Sequence, residues 1–160
     1  MMIGANTKNP GTYVLRFRCG SKCDVVVGRI GLLALRPGEY LYVGSAMGAG
    51  GLRARVARHM HHSDKNHWHI DYIKPYLYFE GAWLVESSQR LEHRWAKALQ
   101  ALPQLTMPQK KFGASDCGCE SHLFYAASFA EAVAKCLLET SDGESVAYYS
   151  SEQLQTLFSG

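Results

Sequence analysis

Tyr40-Leu41-Tyr42-Val43-Gly44-Ser45-Ala46-Met47-Gly48-Ala49-Gly50-Gly51 is the stretch on which the fold turns. Tyr40 to Val43 is β-branched and aromatic, and reads as a short strand. From Gly44 to Gly51 glycine is too frequent for regular structure, so the strand runs out into a loop. Beyond the loop, Leu52, Val56 and Met60 recur at four-residue intervals, the apolar stripe of a helix docked on a sheet. On that helix Arg55 and His59 share one flank of the stripe, while Arg58 points more nearly to solvent. Strand, glycine-rich loop and basic helix therefore form the middle of the domain.

Upstream, Thr12-Tyr13-Val14-Leu15-Arg16-Phe17-Arg18 sets Tyr13, Leu15 and Phe17 on one face and Arg16 and Arg18 on the other, a half-buried strand. Asp24 to Ile30 and Leu32 to Leu35 are further strand candidates between turn signals at Gly20-Ser21-Lys22 and Arg36-Pro37-Gly38-Glu39. The first forty residues are thus expected to form an antiparallel meander. Downstream, Asn66 to Ile73 predicts a short helix ended by Pro75, and Glu80 to Glu86 a strand. Ser87-Ser88 offers an N-cap to a long helix whose core face is Leu91, Trp95, Leu99 and Leu102. Ser121 to Ala127 reads as the last strand, and Ser128-Phe129-Ala130-Glu131 has capping-box spacing before a helix through about Glu139. The expected class is α+β, a small mostly antiparallel sheet with an extended N-terminal hairpin, flanked by helices. One domain is expected over residues 1–139, with residues 140–160 a loosely attached Ser- and Glu-rich tail bearing at most one small helix.

Composition agrees with one domain: 160 residues, 47% hydrophobic and 19% charged, enough to bury roughly 70% of the unfolded surface. The longest run without Lys, Arg, Asp or Glu, between Glu39 and Arg53, is broken by Gly and Ser, so no membrane span is expected. The start lacks the apolar core of a secretory signal, and five cysteines cannot all pair within one chain. A cytoplasmic protein with reduced thiols is the expectation. Net charge is only +3, but its distribution is uneven. Arg53, Arg55, Arg58 and Lys65 against Asp64 supply all of it, and five of the seven histidines, His59, His61, His62, His67 and His69, share the same window. Such a localised basic patch suits a polyanion even on a nearly neutral protein.

Gly11-Thr12-Tyr13 on the first strand, Tyr42-Val43-Gly44 on a later one, an arginine-bearing helix after the loop and a glutamate on the helix beyond the next strand together resemble the GIY-YIG endonuclease superfamily. The ordered run through His67-Trp68-His69-Ile70-Asp71-Tyr72, Phe112-Gly113-Ala114-Ser115-Asp116-Cys117 and Ser121-His122-Leu123-Phe124-Tyr125 is similar to its Uri-type branch. The resemblance covers roughly Gly11 to Tyr125. It implies that Glu92 binds a divalent metal, Mg²⁺ or Mn²⁺, that Arg55 contacts the scissile phosphate, and that Tyr13 and Tyr42 flank the attacking water. His59 would assist with phosphate or proton transfer. The chain departs from the family pattern in having Thr12 for isoleucine and in the 28 residues between Tyr13 and Tyr42.

These residue types suit phosphodiester hydrolysis, which must neutralise anionic oxygens, activate water and stabilise a leaving alkoxide. One carboxylate can hold Mg²⁺ with most of its shell left to water and phosphate. A guanidinium stays charged and grips two phosphate oxygens. A tyrosine, with an ordinary pKa of about 10, must be lowered to serve as a base. The plainer readings are core tyrosines with wet hydroxyls, a Glu92 paired with Arg90 or Arg94, and a surface arginine at 55. Arg53, Arg58, Lys65 and Trp68 are the further nucleic-acid candidates, Trp68 as a stacking platform. His67 and Asp71, four apart, share a helix face as a hydrogen-bonded pair or half a metal site. Cys117, Cys119 and His122 offer zinc donors without an evident fourth, which His67 or His69 could supply. Cys19 and Cys23, at hairpin ends, either pair or stay free, and Cys136 reads as a buried small hydrophobe. The leading expectation is a metal-dependent endonuclease on nucleic acid, DNA before RNA, with a hint of repair. The alternatives are a non-catalytic nucleic-acid-binding module and a zinc-binding regulatory protein.

Overall fold

The computed structural model describes residues 8–61, 65–114, 118–128 and 131–159. Two strands found by alternation, β1 (Gly11–Cys19) and β4 (Gly38–Ala46), lie side by side and antiparallel. The segment between them forms a hairpin of its own, β2 (Cys23–Val27) with β3 (Gly31–Leu35), in a separate two-stranded sheet. The expected meander is thereby corrected, because period-two alternation shows which face a strand buries and not which strand it pairs with. Val25, Val27, Leu33 and Leu35 turn inward while Val26 and Leu32 stay exposed.

The main sheet is completed by β5 (Tyr78–Glu86), β6 (Leu123–Ala126) and β7 (Val146–Ser150), in the order β6-β4-β1-β5-β7 with every pairing antiparallel. On one face it packs α1 (Gly51–Met60), α2 (His69–Ile73), α5 (Ser151–Phe158) and the hairpin around Tyr13, Leu15, Phe17, Tyr42, Leu52 and Val56. The other face packs α3 (Glu92–Gln100) and α4 (Ala132–Glu139) around Val14, Val43, Trp83, Trp95 and Phe124. The fold is α+β, as expected.

Residues 140–159 are no loose tail. β7 pairs with β5 from Gly81–Ser150 to Val85–Val146, Ser150 caps α5 in a reciprocal box with Gln153, and Tyr149 and Leu154 enter the core. Buried Ser141 also accepts a hydrogen bond from Trp95 Nε1 at 2.9 Å. The expected Ser87-Ser88 cap is displaced: Ser87 Oγ accepts from the Gln89 amide in a local turn, and α3 begins at Glu92. Cys19 and Cys23 are free rather than paired, and Cys136 is half-buried rather than enclosed.

Candidate functional site

Register places the two tyrosines. Tyr13 faces Gly44 across the β1–β4 ladder and Tyr42 faces Leu15, so both phenols rise from one face of adjacent strands. A Cβ at residue 44 would come within 2.4 Å of the Tyr13 hydroxyl, so only glycine lets that ring lie across β4. Gly113 serves Tyr42 in the same way: its φ is +67° and a Cβ there would meet the Tyr42 ring at 2.8 Å. Of the 28 residues between the tyrosines, 14–19 and 38–41 continue the β1–β4 ladder, while 20–37 leave in the β2–β3 excursion and do not enter the register.

A cleft of about 260 Å³ opens at this end of the sheet, lined by Tyr13, Tyr42, Ser45, Arg55, His59, Trp68, Glu92, His93, Gly113 and His122, with Gly44 at its floor. Tyr13 and His59 meet in it, hydroxyl to Nε2, at 3.1 Å. Burial pushes both phenols well above the ordinary tyrosine range, and for Tyr13 the Arg55 guanidinium only partly opposes that. The same desolvation, with Lys74 nearby, lowers His59 to about 3. Near neutrality His59 is therefore an uncharged imidazole whose Nε2 shares a hydrogen bond with the Tyr13 hydroxyl, while its buried Nδ1 has no hydrogen-bond partner among the described residues.

Arg55 is fixed by two contacts: Nη1 donates to the Ser45 carbonyl at 3.0 Å, and the guanidinium lies 4.7 Å from the Trp68 ring centroid. Arg58 lies 4.1 Å from the same ring. Trp68 thus orders two cleft arginines rather than standing open as a platform for a base. Asp71 anchors this edge by accepting from the His67 and Trp68 amides, both at 2.9 Å, and by pairing with buried Lys74 at 3.1 Å and Arg58 at 3.7 Å. Burial works against the charge of Asp71, but the Trp68 amide, Lys74 and the His67 amide together hold its carboxyl below the usual range. The expected His67–Asp71 pair exists, made by the His67 backbone and not its ring.

The opposite wall comes from the first turn of α3 and the chain entering β6. Glu92 Oε1 accepts from Ser45 Oγ at 3.2 Å, and Oε2 lies 3.3 Å from His122 Nδ1. Burial alone would raise the Glu92 pKa, but His122, His93 and Ser45 outweigh it and bring it below the ordinary glutamate value. The plainer reading of Glu92, an ion pair with Arg90 or Arg94, is not made among the described residues, and Arg94 pairs with Asp142 instead. An ionised carboxylate beside a hydroxyl in a polar cleft is a donor set that a hard divalent cation takes, with the rest of its shell left to water and phosphate oxygens.

Tyr13, Tyr42, Arg55, His59, Trp68 and Glu92 converge on this cleft, and Arg58 stands at its edge. Arg53 does not: it points the other way and donates to the Phe158 carbonyl at the end of α5, 2.5 Å away, which corrects its expected place on a nucleic-acid surface. Lys65 is exposed on the loop before α2. His69 accepts from the Gly113 amide at 2.8 Å and so holds the loop beneath Tyr42, and burial lowers its pKa. Among the described residues His67 and His69 are not part of the donor cluster, which consists of His93, Cys119 and His122. Cys117 lies outside the described residues. Sequence reading missed Ser45, His93 and the conformational role of Gly113. The contacts that place them, Ser45 with Glu92, His93 with Cys119 and Gly113 with Tyr42, are far apart in the chain, and only the glycine left a local signal.

No curated protein and no solved structure matches the chain. A family model described as Domain of unknown function DUF123 matches residues 12–143, and with these residues spanning both walls of the cleft, the chain belongs to that family.

Proposed function

We propose that the cleft hydrolyses phosphodiester bonds in nucleic acid, as a divalent-metal-dependent endonuclease of GIY-YIG type acting on DNA in preference to RNA. One observation carries this reading: two phenols, a guanidinium, a neutral histidine and an ionised carboxylate, from β1, β4, α1 and α3, line a single polar cleft. Each answers a need of the reaction. Arg55 is held by Ser45 and Trp68 in a position to grip the phosphate, with Arg58 supplying a second positive charge at the edge. Glu92 would hold Mg²⁺ or Mn²⁺, and such an ion, when bound, neutralises phosphate charge and acidifies water. Tyr13 and His59 Nε2 share a hydrogen bond in the cleft, and the phenol oxygen keeps a lone pair that can orient the attacking water; His59, its pKa held at about 3, stays neutral, and the water proton leaves to solvent. The leaving alkoxide takes its proton from solvent. Tyr42, edge-on to His59 with ring centroids 6.0 Å apart, fixes the imidazole from the other side.

The competing reading, a binding module without turnover, draws on the raised pKa of both tyrosines, which keeps them protonated in the free cleft. Incubating the purified protein with single-stranded, duplex and branched DNA, and with RNA, plus Mg²⁺ or Mn²⁺ separates them. Metal-dependent cleavage lost in Glu92→Ala and Arg55→Ala supports hydrolysis. Equal cleavage by Glu92→Ala and parent removes the carboxylate from the site. Salt-sensitive binding that needs no divalent ion, without cleavage of any substrate, returns the binding module.

A further inference from the structure

We infer that His93, Cys119 and His122 form a second metal site, for a thiophilic divalent ion of the zinc class, in the wall of the cleft next to Glu92. The three side chains each present a donor atom, and all three donors lie within 4.8 Å of one another. Cys119 Sγ and His93 Nδ1 are already 3.4 Å apart, close to the ~3.5 Å that separates two ligands on one tetrahedral zinc with its bond lengths of about 2.0 to 2.3 Å. Thiolate and imidazole are the donors zinc selects and magnesium avoids, so this trio discriminates against the hard ion that the Glu92 carboxylate suits.

The backbone around the trio is set before any ion arrives. The His122 amide donates to the Phe112 carbonyl at 2.8 Å and its carbonyl accepts from Val43 at 2.9 Å, while the Lys111 amide donates to the Glu120 carbonyl at 2.6 Å. Cys119 and His122 are buried, and His93 is the exposed member on the first turn of α3. His122 also meets the Glu92 carboxylate, Nδ1 to Oε2 at 3.3 Å, and a carboxylate beside a ligating imidazole is the usual way that ring is oriented. Among the described residues three donors are offered, and the fourth tetrahedral position is open to water or a further donor. Bound there, the ion would tie α3, which carries Glu92, to the chain that carries Gly113 and His122, and so hold the two sides of the charged wall together.

The test is metal analysis of the full, untagged chain, with cobalt substitution as the spectroscopic probe. One zinc per chain is expected, and the cobalt form should show sulfur-to-metal charge transfer and the visible bands of tetrahedral cobalt. His93→Ala and Cys119→Ser should lose the zinc on dialysis against a chelator. Glu92→Gln should keep the site but bind zinc about 10–100-fold more weakly. Should Cys119→Ser fail to fold, exposed His93→Ala decides. A parent chain that takes up no zinc and gives no cobalt–thiolate spectrum overturns the site, as does zinc content unchanged in both His93→Ala and Cys119→Ser. The outcome is separate from hydrolysis: Tyr13→Phe and Arg55→Ala should retain zinc whether or not the parent cleaves nucleic acid.

Discussion

The two walls of the cleft contrast in how they treat charge. The wall built by β1, β4 and α1 presents Tyr13, Tyr42 and His59, and burial drives all three toward their neutral forms. The wall built by the start of α3 and the entry to β6 presents Glu92 with His93 and His122, and their contacts, with that of Ser45 from β4, favour the ionised carboxylate against the same desolvation. Burial opposes charge on both walls, more fully around the phenols and His59 than around Glu92 and the exposed His93, so it is not by itself what separates them. The difference lies in the partners: Tyr13 and His59 hydrogen-bond to each other as uncharged groups with Tyr42 packed edge-on, whereas the carboxylate meets donors. A site divided in this way presents neutral hydrogen-bonding groups on one side and a place for cations on the other.

The strongest way to break the neutral wall is from beneath. Asp71→Ala would leave Lys74 buried with its anionic partner gone, and should cost about 3–5 kcal/mol in urea denaturation, loosening the Trp68 edge with it. Removing only the Tyr13 hydroxyl, Tyr13→Phe, should slow cleavage by about 10²–10⁴-fold in single-turnover assays, with a stability change of about 1 kcal/mol. A steric break, Gly44→Ala, should destabilise by about 1–3 kcal/mol and displace the Tyr13 ring, visible as altered tyrosine fluorescence.

Acid sharpens the contrast. His59 titrates at about 3 in the fold and at 6.5 when exposed, so between these values the unfolded chain binds the extra proton and stability falls as pH is lowered. Above 6.5 this contribution is fully present. Glu92 and Asp71, whose pKa values are lowered, also lose stability in acid, but below about 4.5. From pH 6.5 to 4.5 the parent should therefore lose up to about 1.4 kcal/mol per pH unit that His59→Gln does not lose, read from denaturation midpoints. The smallest effect is expected at Arg53, outside both walls. Arg53→Ala should cost about 0.3–1 kcal/mol at the α5 terminus and leave nucleic-acid affinity unchanged.

Where contacts are local, the sequence was a good guide. Tyr13, Leu15 and Phe17 alternate because β1 has one core face, and Leu52, Val56 and Met60 repeat because α1 lies on it. The fate of the C-terminal residues was hidden for the converse reason. β7 is five residues long and its partner β5 lies some sixty positions earlier, so the pairing that orders it leaves no periodic trace nearby. Arg53 and Arg55 show the limit within one helix. Two positions apart they differ by about 200° around the axis, so one enters the cleft and the other reaches α5, yet both count equally toward a basic window. His93 was passed over because a histidine on an exposed helical turn carries no pattern until Cys119 is brought to it.

The β2–β3 excursion leaves the sheet after Cys19 and returns at Gly38, at a ladder rung where β1 and β4 are already paired. Nothing in the spacing of the two phenols therefore depends on how long that detour is. Shortening it, extending it or replacing its outer turn should leave the paired strands in step, provided that the inward Val25, Val27, Leu33 and Leu35 keep their cover over the core. Such a junction is a natural graft point, where a lineage can exchange a recognition module without retuning the chemistry beside it.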